Sequence, residues 1–240
     1  MKTIIRKIYV VLLSVIFAIP DVGLPCDKIV LTGGPGVGKS SVLERLKVLA
    51  RTDKFRVIAP FEVRPEAFTQ LYEEAKVRNS LDELFSDPTG AHLRSKLVQR
   101  QAEFESCATE GSSLVLDRGM VDILTFGEIL GHSVRPKDKA TAELSDYGLV
   151  FFLEPLPQEY YQNTEIRRET YEESVETHKR LVADYQRYMT DKGKDPRSSI
   201  FYVPTFHSGA LKMNGDEIEN SVAKRAQFIF DKIKENCGLQ

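Results

Sequence analysis

The sequence predicts an α/β domain, a parallel five-stranded sheet with helices on both faces. Three observations carry this. From Asp27 onward, short apolar runs alternate with segments of helical periodicity, the pattern of strand–helix–strand units. A glycine-rich stretch, Gly33-Gly34-Pro35-Gly36-Val37-Gly38-Lys39-Ser40, lies between the first run and the first helical segment. A further apolar run ends in an acid, Asp117.

Taken in order, the candidate strands are 28–32, 55–60, 113–117, 149–153 and 199–204. Helical patterns fill the intervals at 38–51, 65–78, 91–110, 120–131, 165–190 and 216–235. Ligands of such sheets gather at the carboxyl ends of the strands. The residues that follow each strand are therefore the ones to read for chemistry. No linker interrupts these elements, so 27–240 reads as one domain.

The glycine-rich stretch fits the phosphate-binding pattern G-x-x-x-x-G-K-[ST] and sits in the strand–loop–helix context that the pattern requires. Glycines let backbone N–H groups turn inward around a polyphosphate, and the helix that follows presents its positive end to the same anion. Gly33, Gly34, Pro35, Gly36, Val37, Gly38, Lys39, Ser40 and the adjoining Ser41 are the expected nucleotide contacts. Lys39 is expected at the β/γ-phosphates and the Ser40 hydroxyl on Mg²⁺. A nucleoside triphosphate, ATP or GTP, follows as the expected ligand, within a P-loop NTPase fold.

Asp117 ends its apolar strand where the second Mg²⁺-holding group is expected, opposite Ser40, with Arg118 beside it as a further nucleotide contact. No Glu follows Asp117, so the water-activating acid pair of many ring-forming motor ATPases is missing. That favours phosphoryl transfer to a small acceptor over mechanical hydrolysis. After the second strand, Glu62 and Glu66 are both candidates to accept the proton of an attacking hydroxyl; equally, both suit a solvated helix start. Arg167 and Arg168 sit where a helix dipole disfavours cations. A lid over the phosphates would use such charge during transfer, Arg167 first. Phe68, Tyr72 and Phe126 stand at helical spacing, read either as core or as stacking partners for a base.

Composition sets bounds. Of 240 residues, 42% are hydrophobic, enough for a core, and the formal charge of −2 gives no electrostatic case for nucleic acid. Cys26, Cys107 and Cys237 are odd in number and widely spaced, forming no metal pattern or disulfide framework, which suits a reducing compartment. Residues 1–25 carry Lys2, Arg6 and Lys7 and then an apolar run to Ile19. This reads as a secretory signal, as a membrane-surface anchor, or as an extension from an upstream start, outside the catalytic domain in each case. The chemistry favours a cytoplasmic domain; the signal-like segment leaves a secreted or membrane-anchored protein open, with membrane contact only through residues 1–25.

The ensemble resembles the NadR-like P-loop ATPase/kinase family, which includes the AAA-type domain of the TRPL translocation defect proteins. The resemblance rests on the phosphate loop, then Arg64-Pro65-Glu66-Ala67, Gln101 with Glu105, and Asp117-Arg118-Gly119 with Asp122. It continues through Phe151-Phe152-Leu153-Glu154-Pro155 into Tyr161, Asn163, Arg167 and Glu169. It implies a thymidylate-kinase-like fold, ATP or GTP with Mg²⁺, and phosphoryl transfer to a nucleoside-like or ribosyl acceptor. It favours Glu66 over Glu62, places the acceptor near Gln101 and Glu105, and puts Arg167 in a lid. Asn163 stands where the family usually has Asp and cannot supply a carboxylate. Too few residues precede the loop for the adenylyltransfer domain of the family's two-domain members, so a lone kinase-like domain is expected.

The expected function is thus a Mg²⁺-dependent small-molecule kinase acting on a nucleoside-like acceptor. The alternative is a regulatory NTPase switch with slow hydrolysis and no acceptor. The intact Lys39 and Ser40 speak against a degenerate fold that no longer binds nucleotide.

Overall fold

The computed structural model describes residues 28–52, 61–106, 113–132, 134–161, 169–205 and 215–237. Five parallel strands form one sheet: β1 (Lys28–Thr32), β2 (Phe61–Arg64), β3 (Ser113–Asp117), β4 (Leu149–Leu153) and β5 (Ile200–Val203), in the order β2-β3-β1-β4-β5. β1 is central, with Ile29 opposite Val115 on one side and Leu149 on the other. The helices are α1 (Lys39–Thr52), α2 (Ala67–Val77), α3 (Leu81–Leu84), α4 (Ala91–Ser106) and α5 (Met120–Ile129). They continue with α6 (Pro136–Glu143), α7 (Tyr171–Asp191), α8 (Pro196–Ser199) and α9 (Gly215–Cys237).

The strands read as unbroken apolar runs because both faces are covered. Ile29, Leu31, Val115, Phe151 and Leu153 turn to one face and pack against Val42, Leu43 and Leu46 of α1 and Ile229, Phe230 and Ile233 of α9. Val30, Leu114, Leu116, Val150 and Phe152 turn to the other, against Val98 of α4, Met120 of α5 and Leu181, Tyr185 and Met189 of α7. Each such side chain contributes about 1.5–3 kcal/mol. The β1-to-α1 connection therefore leaves the middle of a rigid sheet at its carboxyl edge, where chain order reverses and ligands bind.

Several expectations need correction. The expected second strand, 55–60, lies outside the described residues; the strand that pairs with β3 is Phe61–Arg64. Glu62 therefore sits within a strand, not after one. The long helix expected from 165 begins at Tyr171, capped by Thr170, whose hydroxyl accepts from the Glu173 N–H while the Glu173 carboxylate accepts from the Thr170 N–H. Asn163, Arg167 and Arg168 lie outside the described residues, as do 1–27. Cys237, buried at the end of α9, is disulfide-bonded, where the sequence offers no disulfide framework. Among the described residues no helix is long and apolar enough to cross a membrane.

Candidate active site

The glycine loop leaves β1 and is clamped from behind. Gly34 packs so closely on α7 that an added Cβ would lie 2.5 Å from the Ser174 carbonyl oxygen, and the Ser174 hydroxyl donates to the Pro35 carbonyl at 2.6 Å. Gly36 has φ +78° and lies beneath the Tyr161 ring, which an added Cβ would strike at 2.7 Å. Only glycine meets both demands there. Tyr161 is fixed in turn by its hydroxyl, which donates to the Glu169 carbonyl at 2.8 Å.

A cavity of about 890 Å³ opens from this loop. Pro35, Gly36, Val37, Gly38, Lys39, Ser40 and Ser41 form one wall, and Glu66, Asp117, Arg118 and Asp122 its middle. Gly33 and Gly34, expected as nucleotide contacts, are not in that wall; they shape the loop from its buried side. Lys39 is buried, and burial together with the Arg118 charge lowers its pKa to about 8 against the pull of Asp117, Glu66 and Asp122. Asp117 Oδ1 is buried without a hydrogen-bond partner. Burial raises the Asp117 pKa to about 6, with Lys39 opposing and Glu66 adding to the rise.

Arg118 organises the centre. With φ +70° it turns sharply out of β3, its backbone N–H donating to the Leu31 carbonyl at 3.0 Å. Its Nε donates to Glu66 Oε1 at 2.6 Å, and its Nη1 to Asp122 Oδ1 at 3.0 Å and to the Gly33 carbonyl at 3.1 Å. The guanidinium lies over the Phe126 ring, 4.7 Å from its centroid. Burial opposes the Arg118 charge, yet the carboxylates of Glu66, Asp122 and Asp117 outweigh it and hold the pKa above its ordinary value. Asp122 is completely buried and accepts from Thr32, Arg118, the Gly119 N–H and Tyr185, so β1, α5 and α7 meet on one carboxylate.

Burial would raise the Glu66 pKa, but Arg118, Lys39 and a 2.9 Å hydrogen bond from Thr69 more than offset it and lower it overall. Glu66 is thus an ionised acceptor at the cavity centre. Glu62 pairs with Arg64 at 2.6 Å and is absent from the cavity wall, which separates the two candidate acids. Gln101 lines the cavity, its amide donating to the Arg118 carbonyl at 3.2 Å. Glu105 does not; it accepts from Tyr147 at 2.7 Å and lies 3.6 Å from Lys28, behind the site rather than beside an acceptor. Phe68 and Phe126 line the cavity and Tyr72 does not.

Two arginines escaped the sequence reading. Arg225 of α9 is buried and donates from Nη1 to the Val37 carbonyl at 2.7 Å, from Nη2 to Glu154 at 2.5 Å and from Nε to Pro204 at 3.2 Å. It joins the glycine loop to the ends of β4 and β5, and burial lowers its pKa to about 10. Arg94 of α4 is buried and belongs to the cavity lining. An arginine in mid-helix is ordinarily solvated, so nothing in the sequence marks either one.

A glycine loop after the central strand of a parallel sheet, with an acid ending the neighbouring strand, defines the P-loop nucleotide-binding fold of kinases and NTPases. A family model described as an AAA domain matches residues 28–200, and the chain belongs to that family. No curated protein matches it. Among solved structures, thymidylate kinase from Ehrlichia chaffeensis superposes with a TM-score of 0.50 at 11% identity, over 85% of this chain and 97% of the kinase. A NadR protein in complex with NR gives 0.52 at 17% identity, over 90% of this chain and 52% of NadR. NadR with NAD and AMP-PNP gives 0.50 at 16%, over 90% of this chain and 50% of NadR. The chain thus spans about half the length of those NadR chains. At such identities the likeness is one of fold, and it bears out the NadR-like and thymidylate-kinase-like expectations.

Proposed function

We propose that the protein is a Mg²⁺-dependent small-molecule kinase that transfers the γ-phosphoryl group of ATP or GTP to a hydroxyl of a nucleoside-like acceptor. The observation that carries this is the cavity's extent. It is lined not only by the glycine loop and the Glu66–Arg118 pair but also by the apolar side chains of Phe68, Leu93, Leu97, Ile123 and Phe126. A hydrolase needs room only for water at that place. The thymidylate kinase, and the NadR structures with NR and with NAD and AMP-PNP, are in keeping with such a lining.

In this reading the loop amides and Lys39 hold the β/γ-phosphates, and Arg118 neutralises charge beside Glu66. Glu66, kept ionised, accepts the hydrogen bond of the acceptor hydroxyl and orients it. Phosphoryl transfer depends chiefly on positioning and electrostatics, so a carboxylate held at low pKa suits the role. Ser40 and the unpartnered Asp117 oxygen fit a magnesium ion. Among the described residues no group of three or more His, Cys, Asp or Glu side chains gathers as a metal site, so phosphate and water would supply the other ligands. When bound, the ion supplies charge neutralisation at the phosphates.

The full chain incubated with γ-labelled ATP or GTP, Mg²⁺ and a nucleoside panel tests the proposal. Label transferred to one nucleoside, lost in Glu66→Gln with triphosphate binding retained, is the expected result. Hydrolysis with no acceptor labelled would overturn it in favour of the switch.

A further inference from the structure

Arg118 commits two of its three guanidinium nitrogens. Nε is taken by Glu66, and Nη1 by Asp122 and the Gly33 carbonyl. Nη2 donates to no described residue and is not enclosed, and the side chain keeps 11% of its surface open. Phe126 closes one face of the guanidinium. What remains is one charged edge, in a cavity wall that Arg118 shares with Lys39 and Glu66.

That edge is aimed from behind by Asp122. Its Oδ1 accepts from Thr32 and Arg118, and its Oδ2 from the Gly119 N–H at 3.0 Å and from Tyr185 at 2.6 Å. A carboxylate offers about four lone-pair sites, so none is left for a ligand although Asp122 borders the cavity. Donors from β1, from the turn out of β3 and from α7 thus fix Asp122 in place. Arg118 stands at φ +70°, a conformation that a non-glycine residue keeps only where its surroundings impose it. Asp122 and Glu66 impose it by gripping the guanidinium from two sides.

The direction of the phosphate chain decides what the open edge meets. Arg118 lies close enough to Lys39 for its charge to help lower the lysine's pKa. Two buried cations side by side repel, and an anion between them turns that repulsion into attraction. With the β/γ-phosphates at Lys39 and the acceptor at Glu66, the anion at that place is the terminal phosphate.

We infer that Arg118 reads the terminal phosphate through its open edge, so that the site tells a nucleoside triphosphate from a diphosphate, and that Asp122 is the positioning residue that aims it. The inference rests on the reading above for the direction of the phosphate chain and not for the acceptor. A diphosphate fills the loop and reaches Lys39 but leaves the Arg118 edge unmet. A triphosphate gains a charge-assisted pair there.

The test is calorimetric titration of the full chain with Mg²⁺ and paired probes, AMP-PNP with ADP and GMP-PNP with GDP. In the wild type the triphosphate analogue of the pair that binds should be at least about tenfold tighter than its diphosphate. Arg118→Lys keeps the charge but loses the planar fork, and the ratio should fall about tenfold. Asp122→Asn cannot accept on both sides, so the guanidinium is no longer held; the ratio should fall by a similar factor, with diphosphate affinity within about threefold of the wild type. In the double variant the ratio should match Arg118→Lys alone within about twofold, because Asp122 acts through Arg118. A purely structural Asp122 would weaken both nucleotides alike and leave the ratio standing. Should Asp122→Asn fail to fold, Tyr185→Phe removes one donor to Asp122 and keeps the ring. It should lower the ratio about threefold and add nothing to Arg118→Lys. A wild-type ratio near one, a ratio that the variants do not move, losses that add in the double variant, or no binding of either pair would overturn the inference. The expected ratios with no acceptor ever labelled would uphold it and defeat the kinase reading. Label on an acceptor with the ratio unmoved would do the reverse.

Discussion

Asp117 is a carboxylate whose ionised form burial disfavours. One of its oxygens is buried without a partner, and burial raises its pKa to about 6. The native state therefore holds this proton more tightly than the unfolded chain. Between about pH 4 and pH 6 the group lowers ligand-free stability as pH rises. In the kinase reading proposed above magnesium needs the ionised form, so metal affinity would run the other way. The Mg²⁺-dependent part of triphosphate binding should fall about tenfold per pH unit below pH 6, as a single proton competes. Asp117→Asn should remove that pH dependence and weaken Mg²⁺-triphosphate binding by about 10–100-fold. Titrations at pH 5, 6 and 7 with and without Mg²⁺ check this; an Asn variant with the wild-type pH profile would remove Asp117 from the metal site.

At the scale of elements, α9 does more than cover the sheet. Through Arg225 it holds three carbonyls, on the glycine loop, after β4 and after β5. Arg225→Met keeps the volume and orphans those acceptors. The expected loss is about 2 kcal/mol, read as a lower urea midpoint at unchanged slope, with weaker triphosphate binding because the Val37 carbonyl is no longer fixed. An unchanged midpoint would show the carbonyls satisfied without it. The elements differ in how visible they are from residues alone. β1, β3 and β4 announce themselves because central strands covered on both faces are continuous apolar runs. β2 is an edge strand of four residues, Phe-Glu-Val-Arg, and a stronger apolar run just before it draws the eye to 55–60. α3, α6 and α8 are four to eight residues long, too short for helical periodicity to register. Signals were present all the same: Pro136 at the start of α6, and the Thr170…Glu173 box that starts α7. The site divides likewise. Its local half, the loop and Asp117, follows from spacing. Arg94, Arg225 and the Asp122 junction arise from helices meeting across the fold, which no local pattern encodes.

Across the whole molecule, stability and ligand binding are set against each other at the glycine loop. Lys39 is charged and buried with Arg118 nearby, and its pKa of about 8 lies below the ordinary value for a lysine. The unfolded chain thus binds the proton more tightly, and ligand-free stability should rise with pH from about 8 toward 10.5 as the native lysine gives up its charge. At neutral pH Lys39 and Asp117 are both ionised and both disfavoured, so the empty site is at its least stable between their two pKa values. The lysine's share is on the order of 3 kcal/mol. Lys39→Met should therefore raise the ligand-free melting temperature at pH 7, by about 2–4 °C for each kcal/mol recovered. The same variant should lose the stabilisation that triphosphate gives the wild type by mass action. Thermal scans at pH 7 and pH 9.5 decide it, because the gain should shrink at the higher pH, where the wild-type lysine is largely neutral. A variant that melts lower than wild type at pH 7 would mean that Glu66 and Asp117 depend on the Lys39 charge more than burial opposes it, and the loop would then be held together by that charge rather than strained by it.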